Sequence, residues 1–201
     1  MIIGLTGGYA SGKDAVADFF IKKGFERISL SDFIREELWN ERKELTRNNL
    51  IKKGNELRKK FGNWVLGKMA VQRIDPSKDY VIVSIRNPGE VKELRKLPHF
   101  HLVNVTAPAE VRYQRLMSRG RENEKYTSLD DFIKSEKREL KNKDPDKQQL
   151  LAVFDMATIV LDNKYKTKKG LFSVLEKMHA DLRKKEKKKK KKGVLFGLLH
   201  V

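Results

Sequence analysis

The chain of 201 residues contains no cysteine, and this absence excludes disulfide bonds and metal sites built from thiolates. Long apolar runs are also missing, because no segment reaches the roughly 18 consecutive apolar residues of a membrane-spanning helix. The short apolar run at the N-terminus continues directly into a glycine-rich stretch and does not resemble a signal peptide. We therefore expect a cytoplasmic protein without a membrane span.

Acidic residues are the scarcer charged class. The sequence has 45 Lys and Arg against 27 Asp and Glu, a formal net charge of +18, which favours nucleic acid or other anionic partners. Much of this charge lies in a lysine-rich tail, residues 183–201, which we expect to be disordered or to form a frayed helix extension because its like charges repel. Two interpretations of the tail stay open: a solvated extension, or a segment that contacts nucleic acid or an anionic surface.

Apolar runs alternate with helical patterns along residues 1–182, which predicts an α/β domain with a parallel sheet. The predicted strands cover residues 2–6, 25–29, 80–85, 101–106 and 158–161, and they are rich in Val, Ile and Leu. Residues 31–75 show only helical patterns between the second and third strands. We interpret this stretch as a helical insert that covers a substrate.

A phosphate-binding loop of the form G-x-x-x-x-G-K joins the first predicted strand to a helix. Successive backbone N–H groups of such a loop wrap a polyphosphate while the lysine neutralises charge near the transferred phosphoryl group. The residues of this nucleotide-binding loop are Gly7, Gly8, Tyr9, Ala10, Ser11, Gly12, Lys13 and Asp14.

One residue departs from the usual loop. Asp14 stands where Ser or Thr normally presents a hydroxyl group to Mg²⁺. A carboxylate there would repel a triphosphate unless a cation lay between them, and Mg²⁺ prefers oxygen ligands. The third strand offers no acid at its end before Glu90. We therefore predict that Asp14 binds Mg²⁺, directly or through water.

Candidate acceptor-binding residues follow the second and third strands. Asp32 and Arg35 lie three residues apart at a helix start and so share a face, although an ordinary surface pair has the same spacing. Arg86 follows the third strand, where ligands bind in parallel α/β sheets. Arg58 of the insert is a further candidate, with a solvated helix face as the alternative.

Arginines are most concentrated after the fourth strand. Arg112, Arg115 and Arg119 recur at spacings of three and four, which places them on one helical face. Arginines so placed stabilise the charge that develops during phosphoryl transfer. Gly120 would act as a hinge for Arg121 and a lid over residues 119–145. The alternative is a basic surface helix.

Taken together, these residues resemble the P-loop nucleotide kinases of the adenylate kinase and dephospho-CoA kinase type. The stretch Ser29-x-x-Asp32-x-x-Arg35 is similar to the acceptor-binding segment of nucleoside monophosphate kinases. The stretch from Ile85 to Val91 and the arginine helix resemble a poorly characterised microbial branch described as dephospho-CoA-kinase-like. The resemblance covers about residues 1–180.

The resemblance implies a three-layer P-loop NTPase fold with a five-stranded parallel sheet, a helical acceptor-binding insert and a short arginine lid. It also implies ATP and Mg²⁺ as cofactors, with Lys13 at the phosphates. Its acceptor-binding residues would be Asp32, Arg35 and Arg86, and the arginines of the lid that stabilise the transferred group would be Arg115 and Arg119. We expect transfer of the γ-phosphoryl group to a nucleoside or deoxynucleoside monophosphate. Dephospho-CoA is the alternative acceptor, and a catalytically weak nucleotide-binding protein or RNA-associated factor is the alternative class. Both a monomer and a homodimer fit the sequence.

Overall fold

Five parallel strands form the centre of the fold. A computed structural model describes residues 1–120, 126–140, 144, 146–165 and 167–197. Within them the sheet has the order β2-β3-β1-β4-β5. Its strands are β1 (Ile2–Thr6), β2 (Glu26–Ser29), β3 (Tyr80–Val83), β4 (Phe100–Thr106) and β5 (Ile159–Asp162). All five predicted strands are confirmed, with ends that differ by at most two residues.

Helices make the connections between the strands, and several begin where the sequence supplies a cap. Asn87 opens one helix with a capping box that includes Glu90, and Thr46 opens another by accepting the Asn49 N–H at 3.2 Å. The helices are α1 (Lys13–Lys22), α2 (Leu30–Asn40), α3 (Arg47–Phe61), α4 (Val65–Gln72), α5 (Pro88–Leu94), α6 (Ala109–Arg119), α7 (Leu129–Leu140), α8 (Leu150–Asp155) and α9 (Lys168–Gly197).

The sheet buries both of its faces, because successive strand residues point to opposite sides. On one face, Ile2 and Ile82 pack with apolar residues of α2 to α5. On the other face, Ile3 and Val81 pack with residues of α1 and α9, including Phe20. The result is the predicted three-layer α/β arrangement.

The strand order brings the sequence-predicted site residues to one edge of the sheet. β1 lies between β3 and β4, so the glycine loop that follows β1 is flanked by the segments that follow its two neighbours. Arg86 comes three residues after β3, and Asn163 comes directly after β5. All the strands are parallel, so these segments meet beyond the carboxyl ends of the strands.

The stretch between β2 and β3 contains α2, α3 and α4, in agreement with the helical patterns of residues 31–75. α2 packs against α3, and α4 packs against α5. Leu57 of α3 and Leu66 of α4 join the core on that face of the sheet, which fixes the insert to the domain. Its role in binding an acceptor remains a prediction at this stage.

Two predicted segments lie near the C-terminal half of the chain. The lid region, residues 119–145, includes α7, while Arg121 and the rest of residues 121–125, 141–143 and 145 lie outside the described residues. The predicted tail continues α9 as a helix over residues 183–197. Among the helices that the structure describes, none combines the length and the apolar character needed to cross a membrane.

Candidate active site

Two positions of the glycine loop require glycine, because of their backbone conformation and because a side chain would not fit there. Gly7 and Gly12 have φ values of 143° and 97°, which L side chains rarely adopt. A Cβ atom at Gly7 would collide with the Val105 carbonyl, and one at Gly12 would collide with the Asn163 amide. The glycines of the motif are therefore required by the loop conformation itself.

Lys13 folds back over the loop that precedes it. Its Nζ donates hydrogen bonds to the carbonyl oxygens of Gly7 and Gly8, each at 2.7 Å. Burial, followed by the positive charge of Arg86, lowers the pKa of Lys13 to about 8, while the negative charge of Asp14 acts in the opposite direction. Lys13 thus lies close to Arg86 and Asp14, two of the site residues predicted from the sequence.

Arg115 of α6 supports the same loop through its backbone carbonyl groups. Its Nη1 donates to the carbonyl oxygens of Ala10 at 3.3 Å and Ser11 at 3.2 Å. Its Nη2 donates to the carbonyl oxygens of Asn163 at 3.0 Å and Tyr165 at 3.1 Å. This side chain therefore ties the loop to the segment after β5, and its predicted contact with the transferred phosphoryl group stays a prediction.

Two further side chains complete the support of the loop, and the sequence did not indicate either role. Asn163 is buried and donates from Nδ2 to the Ser11 carbonyl at 2.8 Å. Arg112 donates to the Tyr9 carbonyl at 3.4 Å and forms a two-pronged ion pair with Glu136 of α7. Each loop carbonyl from residue 7 to residue 11 therefore accepts a side-chain hydrogen bond.

Asp14 is exposed at the mouth of the site. None of the described residues donates a hydrogen bond to its carboxylate or forms an ion pair with it. The end of β3 carries Ser84 instead of an acid, with φ of 64°. Its hydroxyl group lies 3.3 Å from that of Ser29 and 3.2 Å from that of Ser31. The strand end thus presents neutral oxygens.

Two cavities adjoin this loop. The loop cavity, of about 400 Å³, is lined by Gly7, Lys13 and Arg119 among others. The insert cavity, of about 340 Å³, reaches the helical insert. The two cavities share lining residues and therefore form one continuous cleft. The shared residues include Tyr9, Asp14, Arg35, Arg47, Ser84 and Arg86.

Arginines dominate the insert cavity. Arg86 donates to Gln148 Oε1 at 2.9 Å, a neutral partner. Arg35 donates to Asp32 at 2.6 Å and to Ser31 at 2.8 Å, so the predicted pair at the start of α2 forms. The cavity is also lined by Arg27, Arg47 and Arg58, of which the sequence indicates only Arg58 as a site residue.

Arg58 lies in a buried ion pair. Its Nε and Nη2 donate to Glu90 Oε1 at 3.1 and 2.8 Å, and both side chains are almost fully buried. Glu90 Oε2 accepts the backbone N–H groups of Arg86 at 2.8 Å and Asn87 at 3.0 Å. The pair therefore joins α3 to the turn that carries Arg86, and direct contact of Arg58 with an acceptor stays a prediction.

Solved structures share this fold at low sequence identity. A shikimate kinase from Bacteroides thetaiotaomicron covers 90% of this chain and 98% of its own, with TM-score 0.58 and 14% identity. A shikimate kinase from Acinetobacter baumannii covers 90% and 93%, with TM-score 0.55 and 14% identity. The fold and its glycine loop thus define a P-loop kinase-like α/β fold, which confirms the predicted fold class.

No protein-family profile matches the chain. A UPF0200 protein from Thermococcus kodakarensis is 33% identical over 148 residues, which are 70% of this chain and 80% of that relative. A UPF0200 protein from Thermococcus gammatolerans is 34% identical over 148 residues, 70% of this chain and 77% of that relative. The chain belongs to the UPF0200 family.

The buried ion pair makes a stability prediction. Replacing Glu90 with alanine leaves the Arg58 guanidinium buried without its counter-charge, so the free energy of unfolding should fall by about 3–5 kcal/mol. The control is Glu36→Ala, which removes an exposed pair with Arg73 and should cost at most about 1 kcal/mol. Urea denaturation measures the free energy of unfolding of both variants. Equal losses of this free energy in the two variants would contradict the structural role of the buried pair.

The position of Lys13 makes a titration prediction. Its ammonium group should titrate near pH 8, below the ordinary value of about 10.4 for a lysine side chain. Arg86→Gln should raise this pKa because a nearby positive charge is lost, and Asp14→Asn should lower it because a nearby negative charge is lost. NMR of ¹³C-labelled lysine, assigned with Lys13→Arg, follows the titration. A Lys13 resonance that titrates at the ordinary lysine value of about 10.4 would contradict the prediction.

Proposed function

We propose that this protein is an ATP-dependent phosphotransferase that moves the γ-phosphoryl group of ATP to a small nucleotide-type acceptor, with a nucleoside or deoxynucleoside monophosphate as the first choice. The observation that carries the proposal is the continuous cleft between the glycine loop and the arginines of the insert. A polyphosphate donor fits one part of it, and an anionic acceptor fits the other.

The donor part is the loop cavity. Its loop has the sequence and the left-handed glycines of a phosphate-binding loop, and such loops bind phosphate through backbone N–H groups. Lys13 now bonds to loop carbonyls, and the same ammonium group would turn to the phosphates of ATP. Arg119 lines this cavity and is our candidate for stabilising charge on the transferred group.

Asp14 fits a magnesium ion bound together with a nucleotide. Its carboxylate faces the cleft and carries no ion pair from the described residues, and Mg²⁺ typically takes one or two carboxylates plus water and phosphate oxygens. In the described part of the chain, no group of three or more His, Cys, Asp or Glu could hold a metal alone. When bound there, Mg²⁺ would neutralise charge on the β- and γ-phosphates.

The acceptor part is the insert cavity. Arg86 faces it with a neutral side-chain partner, and Arg35 faces it from the start of α2, held by Asp32. Arginine binds phosphate oxygens through paired N–H donors, so this lining suits a phosphate-bearing acceptor. Arg58 would act mainly by positioning the turn that carries Arg86.

The scarcity of acidic side chains among the described residues of the cleft favours a phosphate over a hydroxyl as the attacking group. An acceptor oxygen attacks the γ-phosphorus, and the bond from that phosphorus to the β–γ bridging oxygen breaks as ADP leaves. A ribose hydroxyl, as in dephospho-CoA, must lose a proton, but a monophosphate oxygen is already ionised near pH 7. Asp14 is the one acid among the described residues that line the two cavities. In this proposal it binds Mg²⁺, so it is not available to take the proton of a ribose hydroxyl.

A nucleotide-binding protein with weak catalysis is the second candidate. The observation in its favour is Ser84 at the end of β3, where a carboxylate would otherwise be available. Such a protein would bind ATP without passing its phosphoryl group to an acceptor. The two candidates differ in turnover and not in ATP binding, so a transfer assay separates them.

The transfer assay uses ATP, Mg²⁺ and a panel of nucleoside monophosphates, deoxynucleoside monophosphates and dephospho-CoA. We expect ADP and a nucleoside diphosphate to form, identified by ³¹P NMR, and we expect Lys13→Ala to abolish the reaction because charge near the γ-phosphoryl is lost. Tight ATP binding with no ADP formed from any acceptor would contradict the kinase proposal and favour the second candidate.

Replacement of Asp14 tests the magnesium role. Asp14→Ala should reduce Mg²⁺-dependent turnover about 100-fold or more, because charge neutralisation at the phosphates is worth several kcal/mol. Asp14→Ser should restore part of it, since serine is the usual ligand there. Asp18→Ala, an exposed acid of the same helix, is the matched control. Full activity of Asp14→Ala at limiting Mg²⁺ would contradict the proposal that Asp14 binds the metal ion.

A further inference from the structure

Three serine hydroxyl groups form a cluster at the end of β3. Ser84 directly follows β3, Ser29 is the last residue of β2, and Ser31 belongs to the first turn of α2. The Oγ atom of Ser84 lies 3.3 Å from that of Ser29 and 3.2 Å from that of Ser31. Ser84 also lines both cavities, so it lies at the junction where a donor and an acceptor would meet.

The backbone conformation of Ser84 is unfavourable for serine. Its φ of 64° lies in the left-handed region, which residues other than glycine seldom adopt. Glycine would adopt this conformation without strain. Residues in such conformations cost stability and cluster at active sites and ligand-binding sites. The presence of serine instead of glycine at this position is therefore better explained by what its side chain binds.

The hydrogen bonds within the cluster differ in length. Ser31 Oγ accepts a hydrogen bond from Arg35 at 2.8 Å and lies 2.9 Å from Ser29 Oγ. Both contacts of Ser84 are longer than the range of about 2.5–3.0 Å that is typical of hydrogen bonds between oxygens. The hydroxyl proton of Ser84 can therefore turn to a ligand at little cost, while its oxygen still accepts from Ser29 or Ser31.

The surroundings of Ser84 suit an anion. Apart from Tyr9 and Ser84, the described residues that line both cavities are charged. Arg86 lies two residues after Ser84 and also lines both cavities, so we expect a phosphate bound to Arg86 to lie within reach of the Ser84 hydroxyl group. A hydroxyl group donates to a phosphate oxygen without adding charge, whereas a carboxylate at this position would repel the phosphate.

We propose that Ser84 donates a hydrogen bond from its hydroxyl group to the phosphate of the acceptor, at the junction of the two cavities. The inference rests on the proposed phosphotransferase function and narrows it. Ser84 is then a specificity residue that favours acceptors with a phosphate over uncharged nucleosides. The serine at this strand end thereby has a role in binding, and it is not the sign of lost catalysis that the second candidate function assumes.

The experiment is a set of calorimetric titrations in the presence of a non-hydrolysable ATP analogue and Mg²⁺. The probes are the common ribonucleoside and deoxyribonucleoside monophosphates, each compared with its nucleoside. The variants are Ser84→Gly, Ser84→Asn and Ser84→Asp, because all three new residues tolerate a left-handed backbone. Asn and Asp have nearly the same shape and differ in charge. Ser173→Asp is the matched control, since Ser173 is an exposed serine of α9 that lines neither cavity.

Ser84→Gly should weaken binding of the preferred monophosphate about tenfold or more, as expected for loss of a hydrogen bond to a charged group. Ser84→Asn should keep part of the affinity because its amide N–H can donate. Ser84→Asp should bind the monophosphate about tenfold or more weakly than Ser84→Asn, because the carboxylate repels the phosphate. Affinity for the nucleoside should change less than about twofold in all three variants. Ser173→Asp should leave both affinities within about twofold, since its charge is exposed and screened by salt.

Three results would overturn the inference, and they are distinguishable from one another. If Ser84→Asp and Ser84→Asn bind the monophosphate equally well, the acceptor phosphate does not lie beside residue 84. If Ser84→Gly weakens the monophosphate and its nucleoside by the same factor, the hydroxyl group does not contact the phosphate. If no monophosphate binds to the unchanged protein while the ATP analogue does, the proposed acceptor class is wrong and the role of Ser84 falls with it.

Discussion

The glycine loop keeps its shape because its own lysine and side chains from distant parts of the chain hold its carbonyl oxygens. Lys13 takes those of Gly7 and Gly8, while Arg115 and Asn163 take those at the other end of the loop. A peptide group bonded through its carbonyl has its N–H on the opposite side, because the peptide bond is planar and trans. Support of the carbonyls therefore turns the N–H groups that follow them away from the supporting side chains, and the proposed binding of phosphate depends on this orientation.

The rest of the cleft follows from how the insert is attached to this edge of the sheet. Glu90 bonds to Arg58 of α3 with one oxygen and to the turn after β3 with the other, so the insert and Arg86 have a common anchor. That anchor sets the distance between the arginines of the insert and the loop. In the proposed function, this cleft holds two phosphate-bearing ligands, and Asp14 is the oxygen ligand for a cation between them.

The sequence predicted the strands and the loop well because both depend on local patterns: short β-branched runs, and glycines at fixed spacing. It also placed Arg86 at the correct edge, since the ends of parallel strands meet there. It did not predict that Arg58 pairs with Glu90 or that Arg115 bonds to loop carbonyls, because an arginine on a helix face looks the same whether its partner is a ligand or the protein. Arg47 had a detectable signal, a cation directly after a capping threonine, and Asn163 had none beyond its place at a strand end.

The central claim is that the two cavities are the donor and acceptor parts of one site. The most direct measurement is calorimetric binding of a dinucleoside pentaphosphate, made of adenosine and the nucleoside of the preferred acceptor. One molecule should bind per chain, more tightly than either nucleotide alone, and should displace both an ATP analogue and the monophosphate, because linked ligands bind with high effective concentration. A compound that binds no more tightly than ATP, and displaces the ATP analogue but not the monophosphate, would contradict the account.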